Sequence, residues 1–175
     1  MTSDARREGI LEVITASPDA VSASKLAKHF NVSRQVIVGD VALLRAAGHD
    51  IFATARGYVR SISATAGSFV GTVACRHDSE SSLQELKLIV GLGAIVVNVS
   101  IEHELYGEMT GQLNLRTLAD VEAFEKAAKT AKSRMLSELT DGIHLHAISC
   151  RDKAHFEAVK QALDKAGYLL RPMDV

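Results

Sequence analysis

The sequence lacks the features that mark secreted and membrane-spanning proteins. Cys75 and Cys150 are the 2 cysteines among 175 residues, too few for a disulfide framework, and we expect free thiols in a reducing compartment. No apolar run approaches the ~20 residues that span a bilayer, and the first residues lack the continuous apolar segment of a signal peptide. These absences predict a cytoplasmic protein with no membrane partner.

Common catalytic motifs and a strong net charge are also missing. The chain has no Gly-rich phosphate loop, no H-E-x-x-H motif and no Ser or Cys nucleophile signature, so these patterns give no reason to expect an enzyme. Its net charge of −1 is too weak to coat nucleic acid in bulk. Any DNA contact must come from a local surface, and residues 1–62 are the more basic part, with 8 Lys and Arg against 6 Asp and Glu.

The composition is that of a globular protein, and it changes at one short segment. Hydrophobic residues make up 47% and charged residues 23% of the chain, which is typical of folded domains. Residues 61–68 are small and polar, as expected for a linker. We therefore predict two domains, residues 1–62 and residues 68–175, in a protein of the α+β class.

The first domain carries the pattern of a winged helix-turn-helix. Helices are predicted over 3–16, from Ser22 onward and over 33–47, and about three residues separate the second helix from the third. Residues 49–62 then form two short strands around a turn, as in a β-wing. An ordinary three-helix bundle is the alternative structure.

The third helix and the wing present candidate DNA-reading side chains. When the apolar stripe of Ile37, Val41 and Leu44 faces inward, the start of the helix faces outward. There Arg can fork onto guanine, Gln onto adenine and Val can touch a thymine methyl, while basic wing residues reach the backbone or the minor groove. In an ordinary bundle Arg34 would simply be solvated. The predicted DNA contacts are Ser33, Arg34, Gln35 and Val38 in the helix, with Arg56 and Arg60 in the wing.

The second domain alternates apolar strands with amphipathic helices. This order predicts an α/β sandwich-type sheet with helices on one face. The free edge or face of such a sheet is open to a second copy, which favours a homodimer. Strands are predicted over 68–77, 93–103, 105–115, 142–150 and 168–173, and helices over 81–93, 118–139 and 153–167.

Two histidines stand out in the predicted strand GIHLHAISC. Ile143, Leu145 and Ala147 point to one face, which looks like core, while His144 and His146 point to the other. Imidazoles at i and i+2 on one strand face are spaced to bind a divalent metal at about 2.1 Å per nitrogen. Without a metal, both rings would need polar partners if they are buried.

Further candidate side chains precede this strand. His77 ends the strand 68–77 and is either a loop histidine or a ligand. Ser82 and Glu85 have the spacing of a capping box, in which Glu85 reaches back to a backbone amide. Cys75 and Cys150 fall on strand faces nearby, and we expect both to be buried as small hydrophobes rather than to act as ligands.

Four stretches of the chain together point to one family. They are ASKLAKHFNVSRQVIVGDVALLRAAGHDIFATARGYV, RHDSE, EHELYGE and LTDGIHLH. In these stretches, and over essentially its whole length, the chain resembles the bacterial NAD-biosynthesis repressors that respond to nicotinate, the NiaR/YrxA type. The resemblance implies a winged helix followed by a three-histidine regulatory domain, with operator DNA and nicotinic acid as partners.

The resemblance also implies a ligand set for one divalent transition metal. An N3O set with open positions suits nickel, zinc, iron or manganese, and an open position would admit the carboxylate of nicotinate. His103 would donate to that carboxylate or support the metal site, and Tyr106 would stack on the pyridine ring; a core or hairpin role is the alternative for Tyr106. Asp141 stands where the family usually has glycine. The four implied metal ligands are His77, Glu85, His144 and His146.

The predicted function is transcriptional repression by a homodimer, with NAD-synthesis or niacin-uptake genes as the targets that the resemblance implies. Two winged helices would meet successive major grooves about 34 Å apart, and nicotinate would favour the dimer geometry that fits this spacing. A metal-sensing regulator and a metallohydrolase with a DNA-tethering domain are the rival hypotheses.

Overall fold

The structure is a computed structural model that describes residues 2–60, 69–78, 80–131 and 135–171. The chain divides into two units, residues 1–62 and residues 63–175. The linker predicted at 61–68 lies outside the described residues. Among the helices that the structure describes, none is both long and apolar enough to cross a bilayer.

Three helices form most of the first unit, and each begins where a hydroxyl side chain caps it. The side chains of Thr2, Ser22 and Ser33 accept a hydrogen bond from the backbone N–H three residues later, which satisfies a free amide of each first turn. Asn31 has left-handed backbone with φ of 52° and turns the chain between the second helix and the third. The predicted helix-turn-helix is confirmed, with α1 at Ser3–Ala16, α2 at Ala23–Phe30 and α3 at Arg34–Ala46.

A two-stranded hairpin follows the helices and forms the predicted wing. β1 (Ile51–Thr54) and β2 (Gly57–Arg60) pair antiparallel. Val21 and Tyr58 exchange two backbone hydrogen bonds of 2.9 Å, so the segment before α2 holds the wing in place. Gly57 is required here, because its φ is +137° and a Cβ would lie 2.5 Å from the Val21 backbone.

An apolar core and a buried ion pair join the three helices. Asp40 of α3 is buried, and Arg6 of α1 donates a 2.6 Å hydrogen bond from Nε to its carboxylate. A buried charge is tolerated when it is paired in this way, and the pair fixes α3 against α1. The largest fully buried side chains of this core are Ile10, Ile14, Leu26 and Ile37.

The second unit is an antiparallel sheet covered by helices. The core side chains of α4 (Ser82–Gly91), α5 (Leu118–Ala131) and α6 (Lys153–Ala166) pack against one face of this sheet. The α+β class is confirmed, as is the order of a winged helix followed by an α/β domain. The strands are β3 Phe69–Arg76, β4 Ile95–His103, β5 Gly107–Leu115 and β6 Ile143–Cys150, in the spatial order β3-β6-β4-β5.

The imidazole face of β6 is the buried one, so the expectation that Ile143 and Leu145 lie on the core face is wrong. His144 and His146 are buried on the side of the helices, whereas Ile143 and Leu145 are 38% and 37% exposed on the other side. Strand pairing explains this orientation, because the buried Cys75 of β3 lies opposite His144 on the same face. The two histidines therefore belong to the interior of the unit.

Two predicted elements are shorter than expected. The prediction of one helix over 118–139 is wrong, because α5 covers Leu118–Ala131 and a separate 3-10 helix spans Leu136–Thr140. Met135, directly before the 3-10 helix, has extended backbone with ψ of 145°. In place of a strand over 168–173, Leu169 forms a single bridge to Cys75 along the edge of β3, and residues 172–173 lie outside the described residues. Both predictions are based on the spacing of apolar residues, and this spacing does not show where the regular hydrogen bonding of a helix or strand ends.

Truncation of Ile37 tests how far α3 depends on its buried stripe. Ile37→Ala removes a fully buried side chain, and we expect it to lower the free energy of unfolding by about 2–5 kcal/mol. Chemical denaturation followed by circular dichroism measures this change. Val36→Ala is the matched control, because Val36 is 38% exposed and its truncation should alter stability by no more than about 0.5 kcal/mol. Equal losses in both variants would contradict the assignment of the buried face.

Candidate functional site

The start of α3 carries most of the predicted DNA-reading residues. The Ser33 hydroxyl caps the helix and accepts a 3.3 Å hydrogen bond from the N–H of Val36. Arg34 and Gln35 are exposed, while Val38 is partly buried. Arg34 and Gln35 are therefore the side chains best placed to reach base edges, and Ser33 stabilises the helix that carries them.

The wing brings another predicted residue next to this helix start. Arg34 and Arg56 line one surface cleft together with the start of α2. Arg60 is not part of that lining and donates a 3.3 Å hydrogen bond to the hydroxyl of Thr15 in α1. The structure thus groups Arg34 with Arg56 and gives Arg60 a contact within the unit.

In the second unit, imidazoles from two segments meet one carboxylate. The Nε2 atoms of His77, His144 and His146 lie 2.6, 3.2 and 3.4 Å from Oε2 of Glu85. All four side chains are at most 5% exposed. The structure therefore brings the four residues together around a single point inside the protein.

The far side of each ring is fixed by the backbone. Nδ1 of each imidazole lies 2.7–2.9 Å from a carbonyl oxygen. A carbonyl oxygen only accepts hydrogen bonds, so each Nδ1 carries a proton and donates it. In the neutral rings the Nε2 lone pairs then point toward the Glu85 carboxylate. The pairs of ring and carbonyl are His77 with Asp78, His144 with Gly142, and His146 with Asn98.

Strand pairing and the start of a helix bring these side chains together. His144 and His146 lie on the helix-facing side of β6, and His77 directly follows β3, which pairs with β6. Glu85 lies in the first turn of α4. The interpretation of Glu85 as half of a capping box is wrong, because the N-cap is Ser81, which makes no side-chain cap bond, and the carboxylate turns to the histidines instead.

Burial and hydrogen bonding oppose each other in this cluster. Burial alone would raise the pKa of Glu85, but the hydrogen bonds from the imidazoles outweigh it and hold the pKa of this carboxyl far below its usual value. Burial alone would lower the pKa of His77, but its hydrogen bonds to Glu85 and to the Asp78 carbonyl raise it. Glu85 is therefore an anion at neutral pH, and it attracts a cation placed among the rings.

A glycine turn positions two of the imidazoles. Gly142 has φ of +86°, and a Cβ at this position would overlap the carbonyl oxygen of His77. The carbonyl of the same glycine accepts the hydrogen bond from His144 Nδ1. Asp141 before it has φ of +50°, a left-handed conformation that Asp adopts more readily than most residues. The departure from the family at Asp141 is thus compatible with the turn.

Cys75 places a sulfur atom beside the cluster. Its side chain is fully buried opposite His144, and ligand atoms of Cys75, Glu85 and His144 all lie within 4.8 Å of one another. Burial, and then the charge of Glu85, raise the pKa of this thiol, which keeps it protonated while no cation is close. Cys75 is buried as expected, yet its position next to the imidazoles follows only from the strand register.

His103 and Tyr106 occupy the turn between β4 and β5. The N–H groups of Leu105 and Tyr106 donate to Nδ1 of His103, so Nε2 of that ring carries the proton. Tyr106 is 69% exposed, and its ring centroid lies 5.1 Å from that of His103. None of the described hydrogen bonds or ring contacts joins either residue to the three clustered imidazoles.

Comparison with known proteins finds a match for each unit. Residues 6–59 match the model of an HTH domain, and residues 70–172 match the 3H domain. The chain is 38% identical over 168 residues to "Transcription repressor NadR" of Bacillus subtilis (strain 168), covering 95% of this chain and 93% of that protein. It is 36% identical over 165 residues to "Probable transcription repressor NiaR" of Thermotoga maritima, covering 94% and 93% of the two chains.

The winged helix, the 3H domain and these relatives define a class of protein, a DNA-binding transcriptional regulator rather than an enzyme. Within that class, the chain belongs to the NadR/NiaR family of transcription repressors. The family predicted from the sequence motifs is confirmed.

The predicted contact of Arg34 with operator DNA can be tested without disturbing the fold. Because Arg34 is exposed, Arg34→Ala should leave the unfolding midpoint unchanged while it weakens operator binding by about 1–3 kcal/mol and relaxes specificity at one base pair. Fluorescence anisotropy with a set of single-base operator variants measures both effects. A uniform loss across all operator variants would instead place Arg34 on a phosphate.

Proposed function

We propose that this protein represses genes of NAD synthesis or niacin uptake. It acts as a homodimer on operator DNA, with nicotinate as co-repressor and one divalent transition metal in each chain. Membership of a family of transcription repressors supports the DNA-binding part of this proposal. The cluster of buried imidazoles in the second unit supports the metal and the effector.

The convergence of three imidazole Nε2 atoms on one carboxylate is the observation that best supports a metal site. Three imidazole Nε2 atoms and one carboxylate oxygen face one another, and because each Nδ1 proton is directed at a carbonyl oxygen, a neutral ring has no proton to donate to Glu85. Oε1 of Glu85 is also buried and accepts no hydrogen bond from any described residue. The buried carboxylate therefore requires either a proton shared with a ring, as the directions of the Glu85 and His77 pKa shifts indicate, or a metal cation in place of that proton. This fit supports nickel, zinc, iron or manganese held by His77, Glu85, His144 and His146.

The chain's own residues prepare the site for a carboxylate ligand. The bound metal would supply a Lewis-acid position that such a ligand can occupy. Backbone carbonyls orient the rings, and burial keeps water from competing for their lone pairs. Because Glu85 belongs to α4 and the imidazoles belong to the sheet side, a ligand bound between them contacts both layers of the unit.

Effector and operator then strengthen each other's binding by the same factor, because linkage is reciprocal. Two winged helices of a dimer meet major grooves about 34 Å apart. The face of the sheet opposite α4, α5 and α6 exposes Val70 and Ile143, and exposed apolar side chains of this kind support pairing of two copies.

A metal-sensing regulator is the second candidate, because the same cluster of imidazoles and Glu85 would bind the metal that such a regulator senses.

Operator affinity of the metal-loaded protein should rise about 5–150-fold when nicotinate is added. Nicotinamide, which lacks the carboxylate, should give no such rise. Electrophoretic mobility shifts with and without each compound measure the effect. Equal affinity with and without nicotinate would reject the co-repressor, and a full response to metal alone would establish the metal sensor.

Gly142→Ala tests whether the turn before β6 shapes the metal site. The new methyl group would displace the segment that carries His77, and we expect metal affinity to fall about 10–100-fold, as it does when groups that orient ligands are disturbed. Competition with a chromophoric chelator measures the affinity, and elemental analysis identifies the metal.

Gly93→Ala is the matched control for this variant. Gly93 has φ of +81°, close to that of Gly142, but a Cβ there meets no atom within 4 Å. Both variants share the backbone strain of a left-handed alanine, and only one disturbs the cluster. Metal affinity that falls equally in both would show that the loss comes from general destabilisation.

A further inference from the structure

A narrow apolar cavity of about 40 Å³ lies directly beside the imidazole cluster. Glu85, His144 and His146 form one wall of it. The opposite walls come from β4, β5, α5 and the segment that leads into the 3-10 helix. The apolar lining includes Val99, Leu113, Phe124, Met135 and Leu136. A ligand whose carboxylate lies at the cluster would thus place its body among apolar side chains.

Two residues that line this cavity each have a polar atom with no hydrogen-bond partner among the described residues. These atoms are Oγ of Ser82 and Oε1 of Glu85, and both are buried. Leaving a buried polar atom unpaired is unfavourable, and a water, an ion or a ligand can supply the missing partner. Glu85 faces the imidazoles through Oε2, and the proposed metal would account for its free Oε1. The hydroxyl of Ser82 remains free to donate to something else in the cavity.

We propose that this cavity holds the aromatic ring of the effector and that Ser82 donates a hydrogen bond to a nitrogen in that ring. The inference rests on the proposed function, because it takes the effector to be a pyridine carboxylate bound beside the metal. The ring meets Phe124 and aliphatic side chains, which suit a flat apolar body. Ser82 selects a ring with an acceptor atom over a plain benzene ring, because a bare C–H would leave the hydroxyl unpaired.

The size of the cavity implies movement on binding. About 40 Å³ is room for a few water molecules, and a six-membered ring needs more. Met135 and Leu136 are the lining residues that can move most easily. Met has a flexible side chain, Met135 directly precedes the short 3-10 helix, and Leu136 begins it. Ser137 lines this cavity and also the open cleft beside His77. Displacement of residues 135–137 would therefore join the cavity to solvent and admit the ligand.

The proposal is tested by comparing two ligands, nicotinate and benzoate, and by truncating each of two adjacent serines, Ser82 and Ser81. Isothermal titration calorimetry of the metal-loaded, full-length protein compares nicotinate with benzoate, which keeps the carboxylate and the ring but lacks the nitrogen. We expect the wild-type protein to bind nicotinate about tenfold more tightly than benzoate, the effect of one buried hydrogen bond. Ser82→Ala should remove this preference, weakening nicotinate and leaving benzoate unchanged.

Ser81→Ala is the matched control. Ser81 is the adjacent serine, makes no side-chain cap bond and does not line the cavity, so the preference for nicotinate should survive its truncation. The unfolding midpoint of Ser82→Ala should not fall, because the substitution removes an unpaired hydroxyl. Met135→Ala, which widens the cavity, should retain both ligands or tighten both.

Several outcomes would overturn the proposal. An unchanged preference for nicotinate in Ser82→Ala would remove the hydrogen bond. Weaker binding of both ligands in Tyr106→Ala, with no change in Ser82→Ala, would place the effector at the turn between β4 and β5. A metal-loaded wild-type protein that binds neither ligand would refute the proposed co-repressor itself, and the inference would fall with it. If nicotinate binds and acts as co-repressor, but benzoate binds equally tightly, the inference about Ser82 would be refuted while the proposed function would stand.

Discussion

Three backbone carbonyl oxygens determine the chemistry of the second unit. By accepting hydrogen bonds from the Nδ1 atoms of the clustered imidazoles, they direct three Nε2 atoms at Glu85, an arrangement that a shared proton or a metal cation must stabilise. His155 provides the contrast within the same unit. Its Nε2 donates to the carbonyl of Leu92 at 2.8 Å and its Nδ1 accepts from the N–H of Arg151, so this buried histidine is satisfied by the protein alone.

The sheet holds the clustered imidazoles where the backbone has least freedom. β6 lies between β3 and β4 and is hydrogen-bonded on both sides. The pairing with β4 is irregular between Val96 and Asn98, and an irregularity of this kind leaves backbone groups without strand partners. The Asn98 carbonyl accepts from His146, and the Asn98 side chain accepts from the N–H of Ala147. The interruption in the ladder thus serves to orient His146.

Much of this architecture could be predicted from local signals, and the rest depends on contacts between distant segments. The caps at Ser22 and Ser33 act within a few residues, so the helices of the first unit are evident from sequence. The spacing of His144 and His146 likewise shows that both rings share a face. Which face is buried is not local, because Leu145 is as apolar as a core residue and the pairing with β3 and β4 decides its exposure. The proximity of Cys75 to the cluster depends on the same register.

The small number of long, exposed side chains predicted to read bases at the start of α3 limits how much sequence one winged helix can read. Ser33 caps the helix and Val38 is partly buried, so Arg34 and Gln35 are the exposed long side chains among the residues predicted to read bases. A bidentate side chain distinguishes about one base pair. In the proposed dimer, each half of an operator would then convey little information through this helix, and discrimination among chromosomal sites would depend on reading two halves at a fixed separation.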